Sequence, residues 1–122
     1  MLSRTDIVNE FRAIEELCMK NSHANIVVVY RYDQLGNWYY IDMELCEFNL
    51  AQYIYDFDTA IPMLPALNMT MVLKIMQDVS RGLAFIHQSQ KVHRDIKPQN
   101  GICFLIYNNI SPVFESGDVE DW

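Results

Sequence analysis

The sequence lacks the features of a secreted, membrane-spanning or nucleic-acid-binding protein. Its polar start, residues 1–6, is followed by no long apolar segment, and no apolar run approaches the length of a membrane span. The three cysteines share no metal-ligand spacing, which favours free thiols in a reducing compartment over a disulfide framework. With a net charge of −7, the chain also lacks the basic excess that broad binding to phosphate backbones requires. We therefore expect an intracellular protein, cytoplasmic or nuclear, without a nucleic-acid or membrane partner.

Apolar residues are plentiful by contrast, since 51% of the 122 residues are hydrophobic and 20% are charged. That is a globular composition, and the length fits one domain or part of one. In the first part of the chain the apolar residues recur at helical spacing, at Ile7, Phe11, Ile14 and Leu17. This spacing predicts an amphipathic helix from Asp6 to about Cys18, with Asp6 as its N-cap.

The next part of the chain alternates between strand-forming and turn-forming residues. Two runs rich in β-branched and aromatic residues, 26–30 and 38–45, flank turn-forming residues at 34–37 and predict two antiparallel strands. A short helix is predicted over Leu50–Tyr55, and the prolines within 56–68 predict a loop there. Helices and antiparallel strands together indicate an α+β fold.

A long helix is predicted from about Thr70 to His87. Its predicted apolar face consists of Val72, Ile75, Met76, Val79, Leu83 and Ile86. Its predicted polar face consists of Lys74, Gln77, Asp78 and Arg81. Gly82 lies inside this helix and costs about 1 kcal/mol relative to Ala. Further on, residues 104–107 are compatible with a strand, whereas 108–122 show no periodicity.

The polar segment after this helix carries the octapeptide His93-Arg94-Asp95-Ile96-Lys97-Pro98-Gln99-Asn100. It resembles the catalytic loop of Ser/Thr protein kinases, and it follows a long amphipathic helix as that loop does. The resemblance implies that the catalytic residues are His93, Arg94, Asp95, Lys97 and Asn100. Phosphoryl transfer asks a protein mainly to position groups and to neutralise charge, and this set of side chains suits that task.

The resemblance also implies a role for each residue and a set of cofactors. Asp95 would be the catalytic base toward a protein hydroxyl, and Lys97 would lie near the γ-phosphoryl oxygens of ATP. Asn100 would offer an amide oxygen to Mg²⁺. Arg94 would pair with a phosphorylated or acidic activation segment. Lys97 favours Ser/Thr over Tyr specificity by the same resemblance.

Two upstream segments resemble the same family. Residues 40–46 resemble the strand and hinge that hold adenine. By this resemblance Met43 is the gatekeeper, and the Glu44 carbonyl and the Cys46 N–H would bond the base. The sequence of residues 41–54 most resembles that of kinases of filamentous fungi.

His23-Ala24-Asn25-Ile26-Val27 resembles the turn after helix C of the family. In the family, the helix C glutamate lies at a fixed distance before that histidine. The residue at this distance here is Ile14. An insertion at 18–21 would move the match to Glu10. We choose Glu10, with Glu15 and Glu16 as the alternatives.

Several parts of a working kinase are not found in the sequence. The glycine-rich loop and the strand lysine precede helix C in the family, and here that helix is predicted to start almost at Met1. No Asp-Phe-Gly metal site follows the catalytic loop. We therefore expect this chain to bind ATP and Mg²⁺ poorly and to be inactive. The rest of the large lobe would cover part of the apolar surface of this chain. We expect a protein partner to cover that surface instead.

The predicted domain organisation follows from these resemblances. Residues 1–100 would form a partial protein kinase domain, from the end of the small lobe through the hinge to the start of the helical large lobe. Residues 101–122 would be a poorly ordered tail outside the family. A non-catalytic kinase-like interaction module and a gene-model fragment remain alternatives. A small-molecule phosphotransferase is disfavoured by Arg94 and Lys97.

Overall fold

The computed structural model describes residues 3–19, 23–55, 67–106, 109–114 and 119–121, with side chains up to Gly101. The helices are α1 (Arg4–Leu17), α2 (Leu50–Tyr55) and α3 (Met69–Gln88), with a 3₁₀ helix at Pro98–Asn100. The strands are β1 (Val29–Leu35), β2 (Trp38–Met43), β3 (Phe48–Asn49), β4 (Lys91–His93), β5 (Gly101–Ile106), β6 (Asn109–Phe114) and β7 (Val119–Asp121). This mixture of helices and small antiparallel sheets confirms the predicted α+β class. Most of the predicted loop at 56–68 lies outside the described residues.

Helix α1 begins earlier than its apolar spacing indicates. Ser3 is the N-cap, and its Oγ accepts the backbone N–H of Asp6 at 3.1 Å. The carboxylate of Asp6 in turn accepts the backbone N–H of Ser3 at 2.8 Å, which completes a capping box. The predicted N-cap at Asp6 is therefore wrong, because Asp6 occupies the third helical position. Hydrogen bonds from the hydroxyl and then the N–H of Ser3 lower the pKa of Asp6.

The two predicted strands form an antiparallel hairpin. Leu35 pairs with Trp38 across a turn in which Gly36 has a φ of 61°, a left-handed value that suits glycine. Strand β1 starts later than predicted and extends through Leu35, which the sequence had placed in the turn. One face of the hairpin covers α1, where the rings of Phe11 and Tyr32 lie 4.3 Å apart between centroids.

Two clusters of buried side chains hold these elements together. The first joins α1, the start of the hairpin and the end of α3, and consists of Ala13, Ile14, Leu17, Cys18, Ile26, Val27, Val29 and Ile86. The second joins α2 to the start of α3, and consists of Phe48, Leu50, Tyr53, Met71 and Ile75. Because both ends of α3 are buried in this way, the segment that follows α3 has a fixed starting point.

The predicted long helix is confirmed as α3, but its buried face is rotated from the predicted one. Met76 is 59% exposed, whereas Asp78, predicted on the polar face, is 3% exposed. Asp78 can be buried because Lys74 Nζ lies 2.7 Å from its Oδ2 and Arg81 lies 3.7 Å from its Oδ1. Gly82 is buried as well, beside the backbone of Asn25.

The last part of the chain contains more regular structure than its sequence indicates. Strands β3, β5 and β6 form one antiparallel sheet, and β7 pairs with β4. The strand at 104–107 is confirmed in part as β5, whereas β6 and β7 fall where no periodicity was seen. Poor order of the tail stays a prediction. Within the described ranges, none of the helices combines the length and apolar character needed to cross a bilayer.

Candidate active site

The loop from His93 to Asn100 is held at both ends by regular structure. At its start, β4 pairs with β7, with His93 opposite Val119. At its end, Pro98–Asn100 forms a 3₁₀ helix in which Pro98 supplies a preset φ at the first position. The backbone N–H of Asn100 bonds to the Lys97 carbonyl at 3.0 Å. The side chains between these anchors therefore have defined positions.

Three of the predicted catalytic side chains meet at one carboxylate oxygen. Lys97 Nζ lies 2.9 Å from Oδ2 of Asp95, and Asn100 Nδ2 donates to the same oxygen at 2.9 Å. Asn100 Nδ2 also donates to the backbone carbonyl of Asp95 at 2.9 Å. The structure thus brings together Asp95, Lys97 and Asn100.

These contacts favour the ionised form of Asp95. The hydrogen bond from Lys97 and then the one from Asn100 lower the pKa of Asp95, against a smaller opposing effect of burial. The positive charge of Lys97 acts in the same direction. Asp95 is therefore a carboxylate at neutral pH, and it is only half-buried, so a substrate group can reach it.

His93 shapes the turn that presents Asp95. Its Nδ1 accepts the backbone N–H of Asp95 at 3.1 Å, so this nitrogen carries no proton. The same arrangement occurs upstream, where His23 Nδ1 accepts the backbone N–H of Asn25 at 3.0 Å. Both histidines therefore act as acceptors for the second residue after them. The side chain of Arg94, between His93 and Asp95, is exposed.

The predicted hinge is attached to Val28, directly before β1, through both the backbone and a side chain. The backbone N–H of Glu44 donates to the Val28 carbonyl at 2.9 Å, and Oε1 of Glu44 accepts the Val28 N–H at 2.8 Å. Cys46 is half-buried, with Sγ 3.8 Å from the Glu44 carbonyl oxygen. Met43, the predicted gatekeeper, is 37% exposed. The role of the Glu44 side chain was not predicted, because the resemblance concerns only its carbonyl.

The three candidate glutamates of α1 have different surroundings. Glu10 is half-buried and precedes the buried Ala13, Ile14 and Leu17 by the intervals that place residues on one helix face. Glu15 and Glu16 are exposed. The choice of Glu10 stays a prediction.

Lys91 was not singled out by the sequence, although it is the most buried charged residue near the loop. It is 4% exposed, and its Nζ lies 3.1 Å from Oε2 of Glu16. From the sequence alone, a lysine in a short strand is expected to be exposed to solvent. The signal that could have revealed it is the pair of acidic residues at the end of α1, which need cationic or donor partners elsewhere.

The described residues offer one predicted magnesium ligand, Asn100, and not a full set. Asn100 turns its Nδ2 toward Asp95, so its amide oxygen is the atom that the predicted ligation would use. Over the described ranges, no group of three or more His, Cys, Asp or Glu side chains is arranged to hold a metal. These residues therefore do not fit a complete magnesium site.

Comparisons with known proteins match most of the chain. A family model described as protein kinase domain matches residues 2–109, which extends past the predicted boundary at Asn100. The serine/threonine-protein kinase/endoribonuclease IRE1 of Oryza sativa subsp. japonica is 31% identical over 109 residues, covering 80% of this chain and 12% of that protein.

Two further relatives come from other organisms. Serine/threonine-protein kinase PrkC of Bacillus subtilis is 36% identical over 97 residues, covering 78% of this chain and 14% of that protein. Serine/threonine-protein kinase atg1 of Dictyostelium discoideum is 35% identical over 114 residues, covering 89% of this chain and 15% of that protein. The chain thus spans a small fraction of the length of the curated relatives it matches.

Proposed function

Because the chain belongs to the protein kinase domain family, we propose that it carries the catalytic loop and adenine hinge of an ATP-dependent kinase for Ser and Thr hydroxyls of proteins. The observation that supports this proposal most is the meeting of Lys97 Nζ and Asn100 Nδ2 at Oδ2 of Asp95. The relatives above are serine/threonine kinases by name, which supports the proposed specificity.

Asp95 is the proposed catalytic base. Its Oδ2 is held by Lys97 and Asn100, so Oδ1 is the oxygen available to accept the hydrogen bond of a substrate hydroxyl. A carboxylate with a lowered pKa is a weak base, so early removal of the hydroxyl proton would be unfavourable. The loose transition state of phosphoryl transfer does not require early removal. Asp95 therefore orients the hydroxyl first and takes its proton late.

Lys97 and Arg94 have separate proposed roles. Lys97 places a positive charge beside Asp95, where it can neutralise charge on the transferring phosphoryl group. Arg94 is exposed, so it can pair with a phosphorylated or acidic activation segment. No step is assigned to Mg²⁺, since the described residues hold one ligand.

The hinge is the proposed adenine site. The Glu44 carbonyl and the Cys46 N–H would bond the base, with Met43 beside it as gatekeeper. The double attachment of Glu44 to Val28 supports this, because it fixes the backbone that would contact the base. In a longer protein that also contains the family's strand lysine, Glu10 on α1 would pair with that lysine.

We also propose that this chain by itself binds magnesium-ATP poorly and is inactive. None of its four glycines lies in a G-x-G-x-x-G pattern, and it contains no Asp-Phe-Gly tripeptide. The test is thermal unfolding of the 122-residue chain with magnesium-ATP, together with an assay of phosphoryl transfer to a mixed protein substrate. We expect no thermal shift and no transfer. Transfer that disappears on Asp95→Ala would contradict this expectation.

The kinase function itself is tested in a longer protein. That protein contains these residues together with a glycine-rich loop and a strand lysine. We expect transfer to Ser and Thr in that protein, with a loss of at least ~10³-fold on Asp95→Ala. The matched control is Asp33→Ala, an exposed aspartate on β1. Equal loss in both variants, or transfer that tolerates Asp95→Ala, would refute the proposed role of Asp95.

A non-catalytic interaction module is the second candidate, and one observation favours it. Met69, Leu73 and Met76 are 71%, 58% and 59% exposed, and their spacing places them on one face of α3. A stripe of this kind is typical of a surface that another protein covers. Specific, saturable protein binding by a well-folded chain, lost on Leu73→Glu and independent of ATP, would support this candidate.

A further inference from the structure

The catalytic loop is held in different ways at its two ends. At its exit, β5 pairs with β3, and Gly101 lies against Leu50, which is buried in the second core cluster. At its entry, β4 belongs to a two-stranded sheet whose other strand is β7. The exit is therefore fixed by the core, whereas the ladder at the entry comes from a segment that is distant in sequence.

Strand β7 lies outside the part of the chain that matches the protein kinase family model, since that match ends at residue 109. Its pairing with β4 is nevertheless in register, with Val119 opposite His93 and Glu120 opposite Val92. The same strand also lies against α1, the helix that carries Glu10. A segment beyond the family match thus contacts both α1 and the strand that leads into the catalytic loop.

The ladder with β7 determines the backbone of β4 for a simple reason. A strand of three residues makes few contacts along its length, so its extended shape depends on pairing. Helix α3 also packs against β4, but it cannot replace the ladder because its backbone groups are already bonded within the helix. Without β7, the N–H and C=O groups that β4 shares with it would have to bond to water.

The connection from β4 to the proposed catalytic carboxylate is short. His93 is the last residue of β4, and its Nδ1 accepts the backbone N–H of Asp95. We propose that β7 is a positioning strand, which holds the entry of the catalytic loop through its ladder with β4 and thereby keeps Asp95 in place. Release of β7 would then loosen the loop while the core stays folded. The inference rests on the proposed function only for the role given to Asp95.

The test places proline in β7 of the 122-residue chain, because proline lacks the N–H that a ladder needs. Successive N–H groups of a strand point to opposite edges, so either Val119→Pro or Glu120→Pro removes one that faces β4. We expect the more disruptive variant to speed hydrogen exchange at the Asp95 amide roughly tenfold, relative to the amide of Ile75 in the second core cluster. Val119→Ala and Glu120→Ala are the matched controls. They keep the N–H and should stay near the parent value.

The pKa of Asp95 gives a second readout, which a general loss of stability would not move. Hydrogen bonds from Lys97 and then Asn100 lower this pKa in the parent chain. In the disruptive proline variant it should rise toward the ordinary value of 3.8, as followed by NMR titration of the carboxyl carbon. In the two alanine variants it should stay low.

Two outcomes would refute the inference. One is an Asp95 amide that exchanges at the parent rate in both proline variants. The other is equal acceleration at Asp95 and Ile75, because β7 would then support the whole fold and not the loop in particular.

Should neither proline variant fold, hydrogen exchange of the parent chain in rising urea decides the question. The amide of Asp95 and the protected amides of 119–121 should lose protection together, at a lower urea concentration than the amide of Ile75. Loss of protection at 119–121 without any change at Asp95 would contradict the role of β7. Phosphoryl transfer is not measured, so a failed kinase proposal leaves this result intact.

Discussion

Gly82 lies against the backbone of Asn25 so closely that a Cβ on Gly82 would be 3.2 Å from the Asn25 carbonyl oxygen. Asn25 itself is 4% exposed, and its N–H is held by His23, so this oxygen has little room to move. Packing therefore favours glycine at this position in α3. It allows the helix to approach the turn after α1, and Ile86 near the end of α3 belongs to the first core cluster.

The first prediction concerns Gly82→Ala. On helix propensity alone the variant would gain about 1 kcal/mol. Because the added methyl group meets a fixed backbone oxygen, we expect a net loss of about 1 kcal/mol instead. Urea unfolding measures the difference. The control is Ala84→Gly, an exposed position in the same helix, which should lose about 1 kcal/mol from propensity alone. A Gly82→Ala variant more stable than the parent would contradict the close packing.

The second prediction concerns the pH dependence of Asp95. Its pKa lies below the ordinary value of 3.8 through the hydrogen bond from Lys97 and then that from Asn100. Lys97→Met should therefore raise the pKa toward 3.8, as measured by NMR titration of the carboxyl carbon. Asp6, whose pKa is lowered by Ser3, should be unaffected and serves as the internal control.

The sign of the stability effect follows from the direction of this shift. A lowered folded pKa means that the ionised group stabilises the fold above the ordinary carboxyl pKa. This stabilisation is lost as the pH falls through the lowered pKa of Asp95. Lys97→Met should lose less stability over that acidic range than the parent. An identical pH dependence in the two proteins would contradict the ion pair.

The third prediction concerns the buried carboxylate of Asp78. Lys74→Met removes its nearer cation, at 2.7 Å, and leaves Arg81 at 3.7 Å. We expect the free energy of unfolding to fall by about 1–3 kcal/mol. The partial exposure of Lys74 keeps this loss small for a buried ion pair. Replacing both partners, as Lys74→Met with Asp78→Leu, should recover most of that loss because no charge then remains buried. Urea unfolding of both variants checks this, and a double variant as unstable as Lys74→Met would show that the pair is not the cause.

The fourth prediction concerns the hinge. Glu44→Ala removes the acceptor of the Val28 N–H and should cost about 1–2 kcal/mol. Glu44→Gln keeps an oxygen at the same place and should cost less than half of that. Glu47→Ala, an exposed glutamate in the same segment, is the control and should stay within about 0.5 kcal/mol of the parent. Thermal unfolding compares the three. A loss in Glu44→Gln as large as in Glu44→Ala would exclude the hydrogen bond as the source.

Periodicity in the sequence was sufficient to locate the helices and the hairpin. The helix Leu50–Tyr55 has the predicted bounds, and α3 differs from its predicted bounds by one residue at each end. The buried face of α3 was wrong at Met76 and Asp78, because residue polarity does not reveal that a carboxylate will be paired by two neighbours on its own helix. The N-cap was wrong because Ser3 and Asp6 both belong to one capping box, and either suits a helix start.

The candidate site was predictable to the extent that its chemistry lies in one contiguous motif. Asp95, Lys97 and Asn100 are near in sequence, and a short loop with a 3₁₀ turn brings them together. The contacts of Lys91 and Glu44 join distant segments, Lys91 with Glu16 and Glu44 with Val28. No local spacing indicates such pairs, because they depend on how α1, the hairpin and β4 pack in three dimensions.

The pairing of β4 with β7 has a consequence for the order of folding. The hairpin and α3 are built from contacts between near neighbours, whereas Lys91 pairs with Asp121 near the C-terminal end of the sequence. Contacts between distant residues form late, because closing a long loop costs entropy before any contact is gained. During synthesis, β4 cannot complete its ladder until residues 119–121 have left the ribosome. The loop from His93 to Asn100 should therefore reach its final shape after the hairpin and α3 have formed.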